Sequence, residues 1–411
     1  MRPAEPVKPH IFPRILSCVL ALLLPAAAYS APAELVALLD NIIKNQPEQQ
    51  ITQGLKEMHS TNQQYSDSWI AGDVDLVVHH ENDTLTDNND YKNWQVGVEF
   101  PLWLSSQKQA QKTITRSYGE QLSAHQLYLR WLASEQLRKL VWNYRTAEIE
   151  VEAARSALQK SQSLLNKVIL KVKAGESPRI DQLLAHKAVL KQQNNLVQKR
   201  SALTIAQNNF RRWTRTQNLP QNILEQPLSP LPLDQHPKII QLSSALQISR
   251  AMMKKTQAGK RDNPTVFLGA QNDKDKTSEN NSLILEVSIP LGVNPGFSPR
   301  LAETKRNVYE QQAVLDKARI QLEQAIFQAQ QQLNSAQESI HLAKEQYAIS
   351  VKALSMSEHA YQLGETNIQN LLLVQQQTAE AKREYRLAEA RSGQAIANLN
   401  QVTGHILGAQ Q

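Results

Sequence analysis

Four carboxylates stand among apolar residues in stretches that alternate residue by residue. Asp73 and Asp75 flank Val74, Leu76 and Val78, Glu99 lies between Val98 and Phe100, and Glu286 between Leu285 and Val287. On an extended chain, alternate residues share a face, and carboxylates gathered on one face attract cations. His79 and His80 are the one adjacent histidine pair; neighbours on a strand point to opposite faces, so they do not make a metal site. No other His or carboxylate cluster has ligand spacing, and no metal is expected. Glu148 with Glu150, and Glu384 with Glu389, fall in polar helical stretches and read as solubilising charges. There is no Ser/His/Asp constellation, phosphate-cradling glycine loop or deaminase-like motif, so neither an enzyme nor a cofactor is expected.

Two long helices position these residues. From Leu104 to Val172 and from Pro299 to Tyr361 apolar side chains recur every seven positions: Leu137, Tyr144, Val151, Leu158, Leu165 and Val172, then Ile326, Leu333, Ile340, Tyr347, Leu354 and Tyr361. Members of the two series stand 189 positions apart, pair by pair. A sustained heptad stripe predicts coiled-coil packing rather than a globular core. The offset also relates Val98–Leu102 to Val287–Leu291, and Ala174–Ser177 to Leu363–Thr366. The chain is therefore a tandem duplication of strand, loop, strand, long helix, tight turn and returning helix. Its expected parts are a first repeat over 31–213, a Pro-rich linker over 214–237, a second repeat over 238–404 and a short tail over 405–411. Within the repeats lie hairpins at 69–104 and 264–292, long helices at 105–174 and 299–362, and tips at 175–177 and 364–366.

Aromatic content of 5%, few glycines and abundant Gln and Ala suit long exposed helices. The formal charge is +7. Residues 1–30 read as a secretory signal peptide: basic Lys8 and Arg14, an apolar core from Ile15 to Leu24, and Ala28-Tyr29-Ser30 before Ala31. That core is too short to span a bilayer, which takes roughly 20 residues. Without the signal, 42 basic and 37 acidic residues leave +5, spread along the helices and not clustered with aromatics; no nucleic-acid partner is expected. Cys18, the one cysteine, precedes the position of a lipobox, so a lipid anchor is not expected. No later stretch is apolar for long enough to be a transmembrane helix, so membrane insertion has to use strands.

The strands suit that. Trp69–His79, Asn93–Trp103, Thr265–Gln271 and Ser282–Leu291 are expected strands, with loops at His80–Lys92 and Asn272–Asn281. Val74, Leu76 and Val78, then Trp94, Val96, Val98 and Phe100, then Leu283, Leu285, Val287 and Ile289 make apolar faces. Such strands fit a half-buried sheet or a membrane barrel. The barrel is favoured because the helices spend their stripes on each other, leaving no apolar layer to cover a sheet. Four strands cannot close a barrel, for which about eight is the usual minimum; three copies would supply twelve. About 70 helical residues span ~105 Å. Helices 33–66 (broken at Pro47) and 178–213 then flank the first long helix end to end, and 236–260 and 367–402 flank the second. The prolines between 219 and 237 form a non-helical band near mid-height.

With its signal peptide, two hairpin-plus-long-helix repeats and Gly-Glu-Ser/Thr turns, the chain resembles the TolC family of outer-membrane efflux proteins over essentially its whole mature length. Val172-Lys173-Ala174-Gly175-Glu176-Ser177-Pro178-Arg179-Ile180-Asp181-Gln182-Leu183-Leu184 is similar to the family's helix-turn tip. Gln394-Ala395-Ile396-Ala397-Asn398-Leu399-Asn400-Gln401 resembles the ending of the heavy-metal branch, the CzcC- and CusC-like members. The resemblance implies a mainly α fold with a membrane β-barrel part: a homotrimer with a 12-stranded barrel in outer-membrane lipid and an α-helical tunnel in the periplasm. It implies a periplasmic adaptor (membrane fusion) protein and an inner-membrane pump, with the RND type favoured. The function implied is a passive exit duct, with metal cations as one candidate cargo. A type I secretion duct and a periplasmic coiled-coil scaffold are the rival readings.

Gly175 and Gly364 read as left-handed helix-ending glycines. On the resemblance, the tips they form meet the adaptor, which makes Lys171, Lys173, Gly175, Glu176, Ser177, Gly364, Glu365 and Thr366 candidate contacts. Asp181 matches a position where the family often carries an acid near the closed end of the tunnel. Its repeat mate is the amide Asn370, so a fully acidic gate is not expected; a first-turn acid meeting the helix dipole explains Asp181 equally well. Asp73, Asp75, Glu99 and Glu286 are the candidate lumen-lining residues, an assignment that a one-residue slip in register would undo.

Overall fold

No proline interrupts the chain between Pro101 and Pro178, and the segment forms one continuous helix. The computed structural model describes residues 33–85 and 90–408, so the expected signal peptide and Cys18 lie outside the described residues. In chain order the elements are α1 (Ala33–Asn45), α2 (Gln49–Asp67), β1 (Asp75–Asn82), β2 (Lys92–Pro101), α3 (Ser105–Lys173) and α4 (Arg179–Thr214). A short 3-10 turn at Leu233–Gln235 leads to α5 (Pro237–Ala258), β3 (Thr265–Lys274), β4 (Glu279–Ser288), α6 (Phe297–Gln362) and α7 (Ile368–Val402). Pro47 separates α1 from α2 because it lacks the N–H that a continuing helix needs.

The heptad stripes pack as expected. Leu137, Tyr144 and Val151 are buried along α3, as are Leu333, Leu354 and Tyr361 along α6. The start of α3 packs against α5 through Ile114, Tyr118, Ile248 and Ala251. Farther along, Val151 and Ala154 meet Leu196 of α4. On α6 the early residues Leu315, Ala318 and Leu322 meet Ile239 and Leu246 of α5. The later ones, Ala329 and Leu333, meet Ala395 and Leu399 of α7. α6 is thus flanked by α5 and then α7, and α3 by α1 and α2 and then α4, as expected, with α5 and α7 of the other repeat packed against α3 as well.

Mid-height is where the non-helical chain collects. Arg138 stands near the middle of α3, and its guanidinium pairs with Glu225 of the 215–232 loop. It also donates to Gln401 and to the His405 carbonyl. The C-terminal residues fold back into this hub: Leu407 is buried and its N–H donates to Ser134 Oγ. The end of the described chain is therefore a packed element rather than a loose tail.

β1 to β4 form one antiparallel meander in sequence order. β1 begins at Asp75, not at Trp69. Ile70 bridges Leu102 while Asp75 pairs with Glu99, which sets five residues against three and breaks the ladder. Asp73 therefore precedes the strand, and alternation does not assign it a face. At the other end the strands run beyond the expected loops: β1 reaches Asn82, β3 reaches Lys274, and β4 begins at Glu279. Side-chain pairs extend the ladder there, with Asn272 donating to Asn281 and Glu279, and Lys274 paired with Glu279. β4 ends at Ser288, so Ile289–Leu291 lie beyond it.

Candidate functional site

The register assigns every strand residue to a face. One face carries the rows Leu76–Val98–Leu268–Leu285, Val78–Val96–Ala270–Leu283 and Phe100–Val266–Val287. The other carries Asp75–Glu99–Phe267–Glu286, His79–Gln95–Gln271–Ser282 and Glu81–Asn93–Asp273–Asn280. Asp75, Glu99 and Glu286 thus share one height as well as one face. His79 and His80 fall on opposite faces; His80 stacks on Trp94 with 4.0 Å between ring centres.

On the two central strands burial is inverted relative to a water-soluble sheet. On the apolar face Leu76 is 73% and Leu283 87% exposed; on the polar face Asn93 and Phe267 of β2 and β3 are buried, while Asp75, Glu81, Ser282 and Glu286 of the edge strands are exposed. A contiguous exposed apolar band of this kind marks a surface meant for another apolar phase. Aromatic pairs bracket it: His80 and Trp94 toward the hairpin loops, Trp69 and Phe100 (5.0 Å) toward the helices. Within the polar face, Asp273 Oδ1 accepts from Asn93 Nδ2 at 2.6 Å and from Gln271 Nε2 at 2.9 Å, which fixes the wall near the hairpin loops.

At the opposite end of the molecule, both long helices stop in the same way. Gly175 and Gly364 adopt φ of 78° and 79°. Glu176 N–H returns to Lys171 O and Gly175 N–H to Val172 O; Glu365 and Gly364 repeat the pattern with Ala360 and Tyr361. These are Schellman turns, which need a residue tolerant of the left-handed region. The two tips touch. Lys171 Nζ lies 4.9 Å from the centre of the Tyr361 ring and makes long contacts of 3.4 and 3.5 Å with the Tyr361 and Gln362 carbonyls.

Around that contact, burial pushes the Tyr361 phenol above its ordinary pKa, Ser177 beside it lowers it, and the charge of Asp181 raises it. Asp181 sits in the first turn of α4. Asn370 N–H is capped by Asn367 Oδ1, and its amide reaches back to Thr366 Oγ1. The structure therefore gathers Lys171, Ser177 and Asp181 about Tyr361, while Asn370 serves its own helix end. Lys173, Glu176 and Glu365 point to solvent. Sequence reasoning passed over the apolar neighbours at the tips: Leu170, Ile180, Leu183 and Leu363 are all exposed.

The exposed edges have a period too. Leu183, Leu190 and Val197 of α4 are exposed at seven-residue spacing, and so are Leu342, Ile349 and Met356 of α6. Ile51, Met58 and Tyr65 of α2 repeat it. Among the described residues these stripes join none of the hydrophobic clusters, although the Tyr65 ring meets Trp103 and Lys255, and the outer edges of β1 and β4 are unpaired. A 780 Å³ cleft near mid-height, lined by Arg138, Trp142, Gln332, Arg391 and Gln394 among others, lies far from both the strand face and the tips. Among the described residues no cluster of three His, Cys, Asp or Glu side chains could hold a metal ion.

Comparisons with known proteins agree with this geometry. Residues 233–405 match the outer membrane efflux protein family. The fold is similar to that of CusC (TM-score 0.73, 14% identity, 92% of this chain and 93% of that one). It is also similar to the outer membrane protein VceC of Vibrio cholerae (0.70, 14%, 90% and 96%). The open-state MtrE outer membrane channel of Neisseria gonorrhoeae is a further neighbour (0.69, 14%, 92% and 91%). No curated protein matches the sequence.

Proposed function

We propose that this chain, which belongs to the outer membrane efflux protein family, is the outer-membrane exit duct of a tripartite efflux system. One observation carries the reading: the apolar face of the sheet is exposed on all four strands, while the polar face is enclosed on the two central ones. A water-soluble scaffold has no use for such an arrangement, whereas a barrel wall with lipid outside and water inside requires it.

Closure follows from the edges. An open four-stranded sheet with two bare edges invites pairing, and the stripes on α4, α2 and α6 offer coiled-coil seams beside it. Joining the β4 and α6 edge of one copy to the β1, α2 and α4 edge of the next is a head-to-tail contact, which closes as a ring. Three copies supply the twelve strands that the resemblance implies. The helices, roughly 100 Å long, continue the barrel inward as a tunnel.

Cargo passes without covalent chemistry. Asp75, Glu99 and Glu286 face the lumen at one height, and three copies make an acidic belt that favours cations, metal ions among them. The tips, Lys171 to Ser177 and Gly364 to Thr366, are the docking surface for a periplasmic adaptor, and an inner-membrane pump of the RND type supplies the energy. Lys171, Tyr361, Ser177 and Asp181 hold neighbouring tips together in the resting state, and opening separates them.

The test is extraction in detergent followed by reconstitution. A heat-modifiable trimer that conducts ions in planar bilayers is expected. A water-soluble monomer without pore activity would replace the duct with the scaffold reading.

A further inference from the structure

Phe267 is the largest apolar residue on the polar sheet face, which also carries Val77 and Ile284. Its cross-strand neighbours are Glu99 on β2 and Glu286 on β4, yet it is only 6% exposed. The reason lies one step along the same face, where Gly97 and Gly269 stand directly opposite each other on β2 and β3. A Cβ built on either glycine would meet Phe267 Cζ at 2.6 Å and facing backbone as well, Leu268 O at 2.5 Å from position 97 and Val96 O at 2.7 Å from position 269. The ring therefore lies in a trough that both glycines leave open, and ring and facing backbone together leave neither position room for a side chain. Glycine within a strand weakens it relative to alanine. Two of them face to face mark a close approach rather than a preference for extended chain.

We propose that the Gly97–Gly269 trough sets the bore of the channel. It stows the one phenyl ring on the enclosed wall, so that the side chains reaching into the lumen at that height are the carboxylates of Asp75, Glu99 and Glu286. The proposal rests on reading the enclosed face as the lumen. Filling the trough evicts the ring. Three rings, one from each copy, then stand in the water path beside the acidic belt, where they narrow it and add an apolar barrier.

The ring and the glycines have to act as a pair, and this gives the experiment its form. The full-length chain and its G97A, G269A, F267A, F267W and F267A/G269A variants are purified as detergent-extracted assemblies. Their heat-modifiable migration is checked, and single-channel conductance is measured in planar bilayers. G97A and G269A are expected to lower conductance about 1.5- to 2-fold by narrowing the lumen. F267A is expected to match or exceed the unsubstituted chain, and F267A/G269A to conduct more than G269A but less than F267A, because Val96 O still crowds a Cβ at 269. F267W, whose indole exceeds the trough, is expected to lower conductance while leaving both glycines in place, so the test survives if the alanine variants do not assemble.

Normal conductance in both G269A and F267W would overturn the proposal alone. So would a conductance in F267A/G269A as low as in G269A. Absence of any conductance from an assembled, unsubstituted chain would overturn the duct reading and the trough with it.

Discussion

Arg138 and Glu225 form a two-pronged ion pair, Nε to Oε1 at 2.8 Å and Nη2 to Oε2 at 2.7 Å, with each side chain only 7% exposed. The arginine comes from the middle of α3 and the glutamate from the loop between the repeats, and Asn400 of α7 donates to the same carboxylate. This pair holds the non-helical band against the rods. Removing the arginine alone strands a buried carboxylate, which costs about 3–5 kcal/mol. R138M is therefore expected to lower the unfolding midpoint in denaturant steeply, and R138M/E225L to recover much of the loss. Equal losses in the two variants would show that packing, not charge, is what the pair contributes.

Gly175 and Gly364 hold left-handed backbone, where a side chain costs roughly 1–2 kcal/mol. Alanine at either position is expected to loosen its tip while leaving the distant hub intact. Limited proteolysis should cut faster within 172–178 or 361–367, and binding of the adaptor should weaken. Unchanged cleavage in both variants would contradict a strained tip.

Lys171 ties the end of α3 to the end of α6 through the Tyr361 ring and carbonyls. K171M removes those contacts but keeps most of the apolar stem. It is expected to raise the open probability of the reconstituted channel at low voltage, without a shift in thermal stability. If the open probability stays the same, the tip contact is not part of the resting closure.

Glu99 and Glu286 flank Phe267 at one height. The E99Q/E286Q variant is expected to lose cation preference, read as a reversal potential closer to zero under a salt gradient. Unchanged selectivity would remove the acidic belt from the mechanism.

His236 gives a pH dependence. It caps α5 by accepting from the Lys238 N–H, and burial first, then the nearby Lys238 charge, lower its pKa from 6.5 to about 4. The folded chain keeps the ring neutral where the unfolded chain binds a proton. The stabilisation is thus complete above pH 6.5 and is lost as pH falls from there through about 4. H236N keeps a capping side chain without the titration. Its denaturant midpoint is expected to fall less than that of the unsubstituted chain over this range.

Much of this was legible in the sequence because it is local. The helices 105–174 and 299–362 end within two residues of the observed α3 and α6 and start within two of them, and both tip glycines take the expected conformation. The faces of Leu76, Glu99 and Glu286 came out as alternation predicts. The strand ends did not. Between Asn272 and Asn281 polar residues resemble a loop, but a ladder whose two faces are both polar accepts them equally well.

By itself the sequence determined every feature that repeats along the chain: the heptad rods, the turns between them, the duplication, and which strand residues share a face. The rods, turns and strand faces follow from neighbours one, two, four or seven positions apart, and the duplication from the 189-residue offset. Tertiary structure alone decided what meets across the repeats. The 189-residue offset matches Gly97 with Glu286, yet Gly97 faces Gly269, because β2 pairs with β3 of the other repeat. The docking of Glu225 on Arg138 and of Leu407 beside Ser134 is of the same kind. No period relates those residues; they meet because two rods and a sheet fix where the remaining chain can lie.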